Sequence, residues 1–380
     1  MLTACSTSQQ TQPPSEGASV PWHNETRSLR YRPDGHDFVI TNGTRRFNRA
    51  LYGGNSDFRV ETGDLPEFTM YLPGMGGNFS FGIITPQGDK WLIDAENIEM
   101  RYRDGKTLYK ITDPLLADGQ INIEVLALYD SEGIMIKASA EKTPENTRLV
   151  WRYGGVSGKK FSRDGDIGAD PESVFYLTPD KCESNEIHFG DHNTFNIYYG
   201  KGRVLSEDER YENDHKASAK EKEENTFTVK KSLFGIAPEQ ASLKLTSAHA
   251  IETPSQAKNA TADSVPVLFG SLELQDETPY YFAINKPDSV PLNYNKLPET
   301  FAIADAQRKA IADRIEVNTP DPYINNFGGV LALAADAVWE YPSYQHGAIA
   351  WRMPLPGWRG AYIADWLGWH DRAKIHFSAY

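Results

Sequence analysis

One stretch of the 380-residue sequence, residues 354–372 (PLPGWRGAYIADWLGWHDR), concentrates the side chains that could do chemistry. Five of the eight tryptophans fall between Trp339 and Trp369, interleaved with Asp, His and Arg. Sugar rings stack their C–H faces on indoles, and sugar hydroxyls hydrogen-bond to charged side chains. The stretch therefore predicts a sugar-binding cleft. The alternative is a tryptophan-rich core edged by paired charges.

The candidate substrate ligands in this stretch are of two kinds. Trp358, Trp366 and Trp369 are candidate stacking platforms, and Arg359 and His370 are candidate ligands of sugar hydroxyls or of a uronate. Each could instead belong to the core or support the site from behind. His370, Asp371 and His376 could also form a metal cluster, but a fuller ligand set is missing, so we predict no metal and no cofactor.

A helical region must position this stretch. Pro298 and Glu299 suit the first turn of a helix that we expect to run to about Ile315, with Ile303, Ile311 and Ile315 near one face. This helix would form a linker over residues 287–318.

A second helix is expected over residues 323–339, whose sequence is apolar nearly all round. That pattern predicts burial on several sides, as for an inner helix of a helical barrel. Residues 340–367 are rich in Gly and Pro and are expected to be mostly loop. A final helix should start near His370.

The preceding region, residues 22–286, has the pattern of a large antiparallel β-sandwich with about a dozen short strands. Expected hairpins join residues 38–40 to 46–48 across Asn42-Gly43, residues 98–102 to 107–111, and residues 121–129 to 134–138. The loop at residues 74–77 is interpreted as a tight hairpin end. Residues 162–170 resemble a calcium loop but lack its full spacing, and residues 206–225 form a solvated charge run.

Composition excludes several classes of protein. The net charge is −13 without a basic block, which argues against nucleic acid as a partner. The sequence contains no transmembrane run. With only Cys5 and Cys182, a disulfide scaffold is excluded, and Cys182 is interpreted as a small buried hydrophobe.

The N-terminal residues Leu2 to Cys5 match a bacterial lipobox, in which Cys5 would carry the lipid. Residues 6–19 have the composition of a flexible tether, so residues 1–21 are expected to be a signal remnant and linker. A lipid on Cys5 would be the protein's only link to a membrane and would place it in the periplasm or at the cell surface, anchored to the outer membrane. The missing start of the signal peptide indicates either a misplaced start or a fragment.

Two C-terminal segments carry a family resemblance: TPDPYINNFGGVLALAADAVW and QHGAIAWRMPLPGWRGAYIADWLGWHDRA. They resemble the six-hairpin (α/α)6 glycosidase group and, more narrowly, the bacterial lipoproteins of domain-of-unknown-function family 4450. Residues 45–83 and 161–177 are similar to the β domain of that family. The resemblance implies a β-sandwich, a linker helix and, over residues 319–380, the first helices of a barrel. A complete barrel needs more helices than this chain holds, so we expect a truncated barrel.

The resemblance makes glycoside hydrolysis of a polysaccharide or oligosaccharide the working hypothesis. Such catalysis usually needs two carboxylates. Asp365, expected in a loop between Tyr362 and Trp366, is the first candidate for the acid, because burial among aromatic rings favours a protonated carboxyl group. Asp371, at the start of a helix, is the candidate for a base or sugar ligand, with a helix cap as the alternative.

Two other readings stay open. The protein could be a non-catalytic surface lipoprotein that binds glycans with the same tryptophans. The fragment alone could also be inert, because its barrel cannot close and the second carboxylate would lie beyond Tyr380.

Overall fold

The computed structural model describes residues 19–22, 25–54, 58–72, 74–158, 172–200, 231–287, 292–345 and 360–379. The lipobox with Cys5, the calcium-like loop at residues 162–170 and the charge run at residues 206–225 lie outside these residues, as do Trp358 and Arg359.

Twenty-two strands, numbered in chain order, make up most of the described fold. The first eleven are β1 Ser19–Trp22, β2 Glu25–Ser28, β3 Arg32–Asp34, β4 Asp37–Thr41, β5 Arg49–Leu51, β6 Arg59–Thr62, β7 Glu67–Leu72, β8 Met75–Thr85, β9 Gly88–Trp91, β10 Asn97–Arg103 and β11 Lys106–Thr112. The others are β12 Gln120–Ala127, β13 Gly133–Glu141, β14 Arg148–Gly154, β15 Glu186–Phe189, β16 Thr194–Tyr199, β17 Lys231–Ile236, β18 Ser242–Ser247, β19 Pro266–Glu273, β20 Tyr280–Asn285, β21 Trp339–Glu340 and β22 Ser343–Tyr344.

Two large antiparallel sheets contain nearly all of these strands. One sheet has ten strands in the order β15-β16-β17-β20-β13-β12-β11-β10-β4-β3. The other has eight, in the order β18-β19-β14-β8-β7-β6-β5, with β9 added beside β8. The pairs β1–β2 and β21–β22 form separate two-stranded ladders.

The core lies between the two large sheets. Alternate residues of β12, Ile121, Ile123 and Val125, are fully buried, as expected when one face of a strand meets a core. Phe79 and Phe81 of the eight-stranded sheet pack edge-on against Phe282 of the ten-stranded sheet, with ring centroids 5.8 and 5.2 Å apart. Such contacts join the sheets into a sandwich.

Two of the predicted hairpins are confirmed and one is wrong. β10 pairs with β11 across Asp104-Gly105, and β12 pairs with β13. The Asn42-Gly43 hairpin does not form, because β4 pairs with β3 and β10 instead. Asn42 exchanges hydrogen bonds with the backbone of Ile98, and the chain then crosses to the other sheet. There Arg46 donates two hydrogen bonds to the buried carboxylate of Glu67, at 2.6 and 2.7 Å.

The plain hairpin end expected at residues 74–77 is confirmed between β7 and β8, but residues 75–77 already belong to β8. Gly76 has φ +143°, and a Cβ there would overlap the carbonyl oxygen of Met70. Glycine is therefore required at this second position of β8.

Five α-helices occur in the described residues: α1 Pro254–Asn259, α2 Leu297–Ala312, α3 Pro322–Ala337, α4 Gly360–Trp366 and α5 His370–Ser378. Strands give way to helices between Asn285 and Leu297, in the interval where the sequence pattern changes. None of the described helices is long and apolar enough to cross a membrane.

The linker helix is present as α2, and its predicted face is right at Ile311 and wrong at Ile303. The buried residues are Leu297, Phe301, Ala304, Arg308 and Ile311, whereas Ile303 is half exposed. The observed spacing alternates four and three residues, which is the stripe of one helical face. Arg308 lies on this stripe and is fully buried.

Helix α3 confirms the second predicted helix, but it is not buried on all sides. Asp321 caps its start by accepting from the backbone N–H of Tyr323. One face carries Asn326, Ala332 and Asp336 against the rest of the molecule, while Ile324 and Leu331 are more than half exposed.

Candidate functional site

The described part of the tryptophan-rich stretch, residues 360–372, contains a helix where a loop was predicted. Asp365 was expected in a loop, but it lies in the last turn of α4. Ala361 and Ala364 are fully buried and give this helix a small-residue packing face. Gly368, with φ +77°, ends the helix in a left-handed conformation. The glycines that suggested a loop therefore mark the two ends of a short helix.

Asp365 and His370 form an exposed hydrogen-bonded pair. Nδ1 of His370 lies 2.7 Å from Oδ1 of Asp365, and the side chains are 64% and 67% exposed, respectively. The break at Gly368 turns the chain so that α5 begins beside the end of α4. The expected burial of Asp365 among aromatic rings is wrong. A carboxylate bonded to an imidazole at the surface can hold and pass on one proton.

Asp371 confirms the expected start of α5 but not a capping role. It is in the first turn, where a negative charge stabilises the helix dipole, yet the described side chains make no capping hydrogen bond there. Its carboxylate is almost fully exposed, 3.7 Å from Nζ of Lys374.

The three residues considered for metal binding do not come together. His376 is fully buried, while His370 and Asp371 face solvent. Among the described residues, no group of three or more His, Cys, Asp and Glu side chains is suited to a metal ion.

Two tryptophans of the stretch differ in accessibility. Trp366 is 92% exposed and lies next to Asp365 in α4. Trp369 is partly buried, with the guanidinium groups of Arg314 and Arg372 at 5.1 and 4.6 Å from its ring centroid. Trp366 therefore offers the open stacking face, and Trp369 packs helices together.

An ion pair that the sequence did not suggest lies behind this surface. Nη1 of Arg372 donates to Oδ1 of Asp336 at 2.7 Å, and the hydroxyl of Tyr129 is 3.4 Å from the same oxygen. Asp336 is buried, and burial raises the pKa of its carboxyl group despite the neighbouring Arg372. The available signal was a single acid within the apolar pattern of residues 323–339.

His376 fixes the β21–β22 ladder to α5. Its Nδ1 accepts from the backbone N–H of Tyr344 at 3.0 Å. The ring of Tyr344 also packs on Trp339, with centroids 4.8 Å apart. Burial lowers the pKa of His376, so the neutral imidazole is favoured.

The comparison with protein families identifies the class of this chain. The family described as Domain of unknown function (DUF4450) matches residues 72–305, which is more than half of the sequence. The chain belongs to this family. No curated protein matches it.

A solved structure is similar to this chain in fold. It is the crystal structure of a bacterial glucoamylase complexed with acarbose, with a TM-score of 0.50 and 8% sequence identity. The match covers 90% of this chain and 53% of the glucoamylase chain, so this chain spans about half the length of that structure.

Proposed function

We propose that this chain belongs to a glycoside hydrolase that acts on a polysaccharide or oligosaccharide by acid–base catalysis. The carrying observation is the exposed Asp365–His370 pair beside the open indole of Trp366. The glucoamylase-like fold supports the same class of substrate, since that neighbour is a carbohydrate enzyme with acarbose bound.

In this proposal Asp365 gives a proton to the glycosidic oxygen, which leaves as a hydroxyl group. His370 then reprotonates Asp365 across their hydrogen bond, and the attacking water releases the proton that restores His370. Trp366 stacks on a sugar ring, and the exposed charge of Asp371 acts as a base or binds a hydroxyl. Trp358 and Arg359 remain candidate sugar ligands. The second catalytic carboxylate is not assigned.

We also propose that α3, α4 and α5 belong to an (α/α)6 barrel. The exposed apolar side chains Ile324 and Leu331 on α3 support this, because further barrel helices would cover them. Extending the reading frame past Tyr380 tests the proposal, and a sequence without further helical hairpins there would contradict it.

A lipid on Cys5 is proposed to anchor the protein to the outer membrane, facing the periplasm or the cell surface. The lipobox pattern of Leu2 to Cys5 supports this. In cells expressing the gene with its complete signal peptide, wild type should fractionate with membranes and Cys5→Ala should not. Equal membrane association of both would contradict the anchor.

A glycan-binding lipoprotein without catalysis is the second candidate. The observation that favours it is exposure, since Trp366 and Tyr362 form an open aromatic surface and Asp365 is not shielded from water. Binding needs the aromatic surface but no proton donor.

One experiment separates the two candidates. Protein from the complete reading frame is assayed on plant and algal polysaccharides, with Asp365→Asn, Trp366→Ala and the control Asp313→Asn, an exposed acid bonded to Lys309. For hydrolysis, Asp365→Asn should lower kcat about 10²–10⁴-fold with binding retained, and the control should match wild type. Unchanged turnover in Asp365→Asn would remove Asp365 as the acid. Binding lost in Trp366→Ala without product from wild type would favour the second candidate.

A further inference from the structure

A cavity of about 240 Å³ lies between the β-sandwich and helices α2 and α3. Ile311, Val330 and Leu333 give it an apolar side. Its polar and aromatic lining residues are Asn48, Arg49, Tyr52, Tyr102, Tyr129, Arg308 and Asp336. The cavity is therefore a mixed site, with apolar walls and a few placed charges, which is how small-molecule sites are built.

Arg308 brings a positive charge to this cavity that no described carboxylate bonds to. It is 1% exposed, and its two terminal nitrogens donate to the backbone carbonyls of Ala304 and Tyr52, at 2.9 and 3.2 Å. Within the described residues its Nε–H has no acceptor. Burial lowers the pKa of Arg308 to about 10. Fully buried charges are normally paired, so Arg308 is a cation that lacks its counter-ion.

The acids near Arg308 are already engaged. Asp305 accepts from Nζ of Lys106 at 2.9 Å, and Asp336 accepts from Arg372 at 2.7 Å. Asp305 and Asp336 therefore neutralise Lys106 and Arg372 rather than Arg308.

Arg49 adds a second cation on the same wall. Its buried Nε also lacks an acceptor among the described residues, and its guanidinium lies 4.9 Å from the ring centroid of Tyr102. Arg49, Tyr102 and Arg308 all line the cavity, and the charges of the two arginines oppose the rise that burial causes in the pKa of Tyr102. Burial raises the pKa of Glu61 and the charge of Arg49 opposes that rise, but the ion pair of Glu61 is with Arg59.

We propose that this cavity binds the carboxylate of a sugar acid. The carboxylate would lie against the guanidiniums of Arg308 and Arg49, which both line the cavity, and would supply the missing negative charge. The rings of Tyr52 and Tyr102 provide faces for the sugar ring. A cavity of about 150 Å³ already accepts benzene, so the larger volume here accommodates a six-membered ring with its substituents. This inference does not rest on the proposed hydrolysis.

Calorimetric titration and thermal unfolding at constant ionic strength test the proposal, with sodium glucuronate, acetate, glucose and sodium chloride as probes. Glucuronate should bind saturably and raise the Tm, whereas glucose and chloride should not. Acetate should bind at least tenfold more weakly than glucuronate. Acetate binding as tightly as glucuronate would overturn the sugar part of the assignment, and equal responses to all four probes would overturn the site.

Three variants locate the binding. Arg308→Met removes the charge and keeps an apolar stem of similar length, and it leaves no bonded carboxylate behind without its partner. It should weaken glucuronate at least tenfold, while Lys309→Met, an exposed change one residue along α2, should leave binding unchanged. Ala334→Phe fills the cavity mouth without changing charge and should also abolish binding, which decides the matter even where Arg308→Met does not fold. Wild-type affinity in either cavity variant would overturn the site.

Discussion

Arg372 in α5 donates a hydrogen bond of 2.7 Å to Asp336 in α3, and its guanidinium also lies 4.6 Å from the ring centroid of Trp369. One side chain thus joins two helices and the tryptophan between them. Because Asp336 is buried and Arg372 only partly exposed, this pair acts in a medium where losing one partner is costly. The pair therefore holds α5, which begins at His370, against α3.

Arg372→Met should therefore destabilise the protein by about 3 kcal/mol, the lower end of the range for broken buried pairs, since Arg372 is 22% exposed. The loss should be larger at pH 8 than at pH 5. Burial holds the pKa of Asp336 above its value in the unfolded chain, so the folded protein loses stability as pH rises from the unfolded to the folded pKa. Removing Arg372 raises the folded pKa further and enlarges this loss. Urea unfolding at both pH values measures this.

Lys374→Met and a double variant with Asp336→Asn are the controls for Arg372→Met. Lys374→Met, an exposed change on the same helix, should stay within about 0.5 kcal/mol of wild type. Asp336→Asn combined with Arg372→Met should remove the added pH dependence. A single variant as stable as wild type at pH 8 would show that the pair contributes nothing.

Gly270→Ala should destabilise the sandwich by about 1–3 kcal/mol. Gly270 of β19 is opposite Trp151 of β14, which is fully buried, and a Cβ at Gly270 would overlap Cε2 of the indole. Gly154→Ala, also in β14, is the matched control, because its Cβ would be 3.5 Å from Val267, an ordinary contact. Denaturant midpoints compare the two, and equal losses would contradict this account.

Sequence patterns predicted the local structure well. Period-two alternation gave β10–β11 and β12–β13, with Asp104-Gly105 as the turn of the first pair, and the helix expected to start near His370 is α5. These features depend on residues close together in the chain. The hairpin predicted at Asn42-Gly43 does not form because β4 pairs with β10, which lies more than fifty residues away in the sequence. This pairing outweighs the local turn signal.

Side-chain partners were harder to foresee. Asp336 pairs with Arg372 thirty-six residues later, and no periodicity encodes that contact. Asp365 and His370 are five residues apart, and residues at that spacing do not lie on one side of a helix. Their side chains meet because Gly368 ends α4 and the chain turns before α5 begins. The four-and-three spacing from Leu297 to Ile311 indicates the buried face of α2. Predicting the burial of Arg308 from it requires placing a charged side chain on that face.

Cys182 should resist thiol reagents in the folded protein. It is buried with Ala248, Val265 and Val267, and burial raises the pKa of its thiol to about 12, so little reactive thiolate forms at pH 8. In a Cys5→Ser variant, where Cys182 is the only thiol, a disulfide reagent should label the native protein far more slowly than the guanidinium-unfolded protein. Labelling at the same rate in both states would contradict the burial.

Replacing His376 should change how stability depends on pH. The buried imidazole accepts from the N–H of Tyr344, and burial lowers its pKa, so the unfolded chain takes up a proton at a higher pH than the folded protein does. Stability is therefore complete above the unfolded pKa of about 6.5 and is lost as pH falls below it. His376→Asn keeps an acceptor near the position of Nδ1 without titrating, so its loss of stability from pH 7.5 to 5.5 should be smaller than that of wild type. Urea unfolding followed by tryptophan fluorescence measures this, with the exposed His36→Asn as a control that should behave as wild type. An identical pH dependence in wild type and His376→Asn would show that His376 does not govern acid stability.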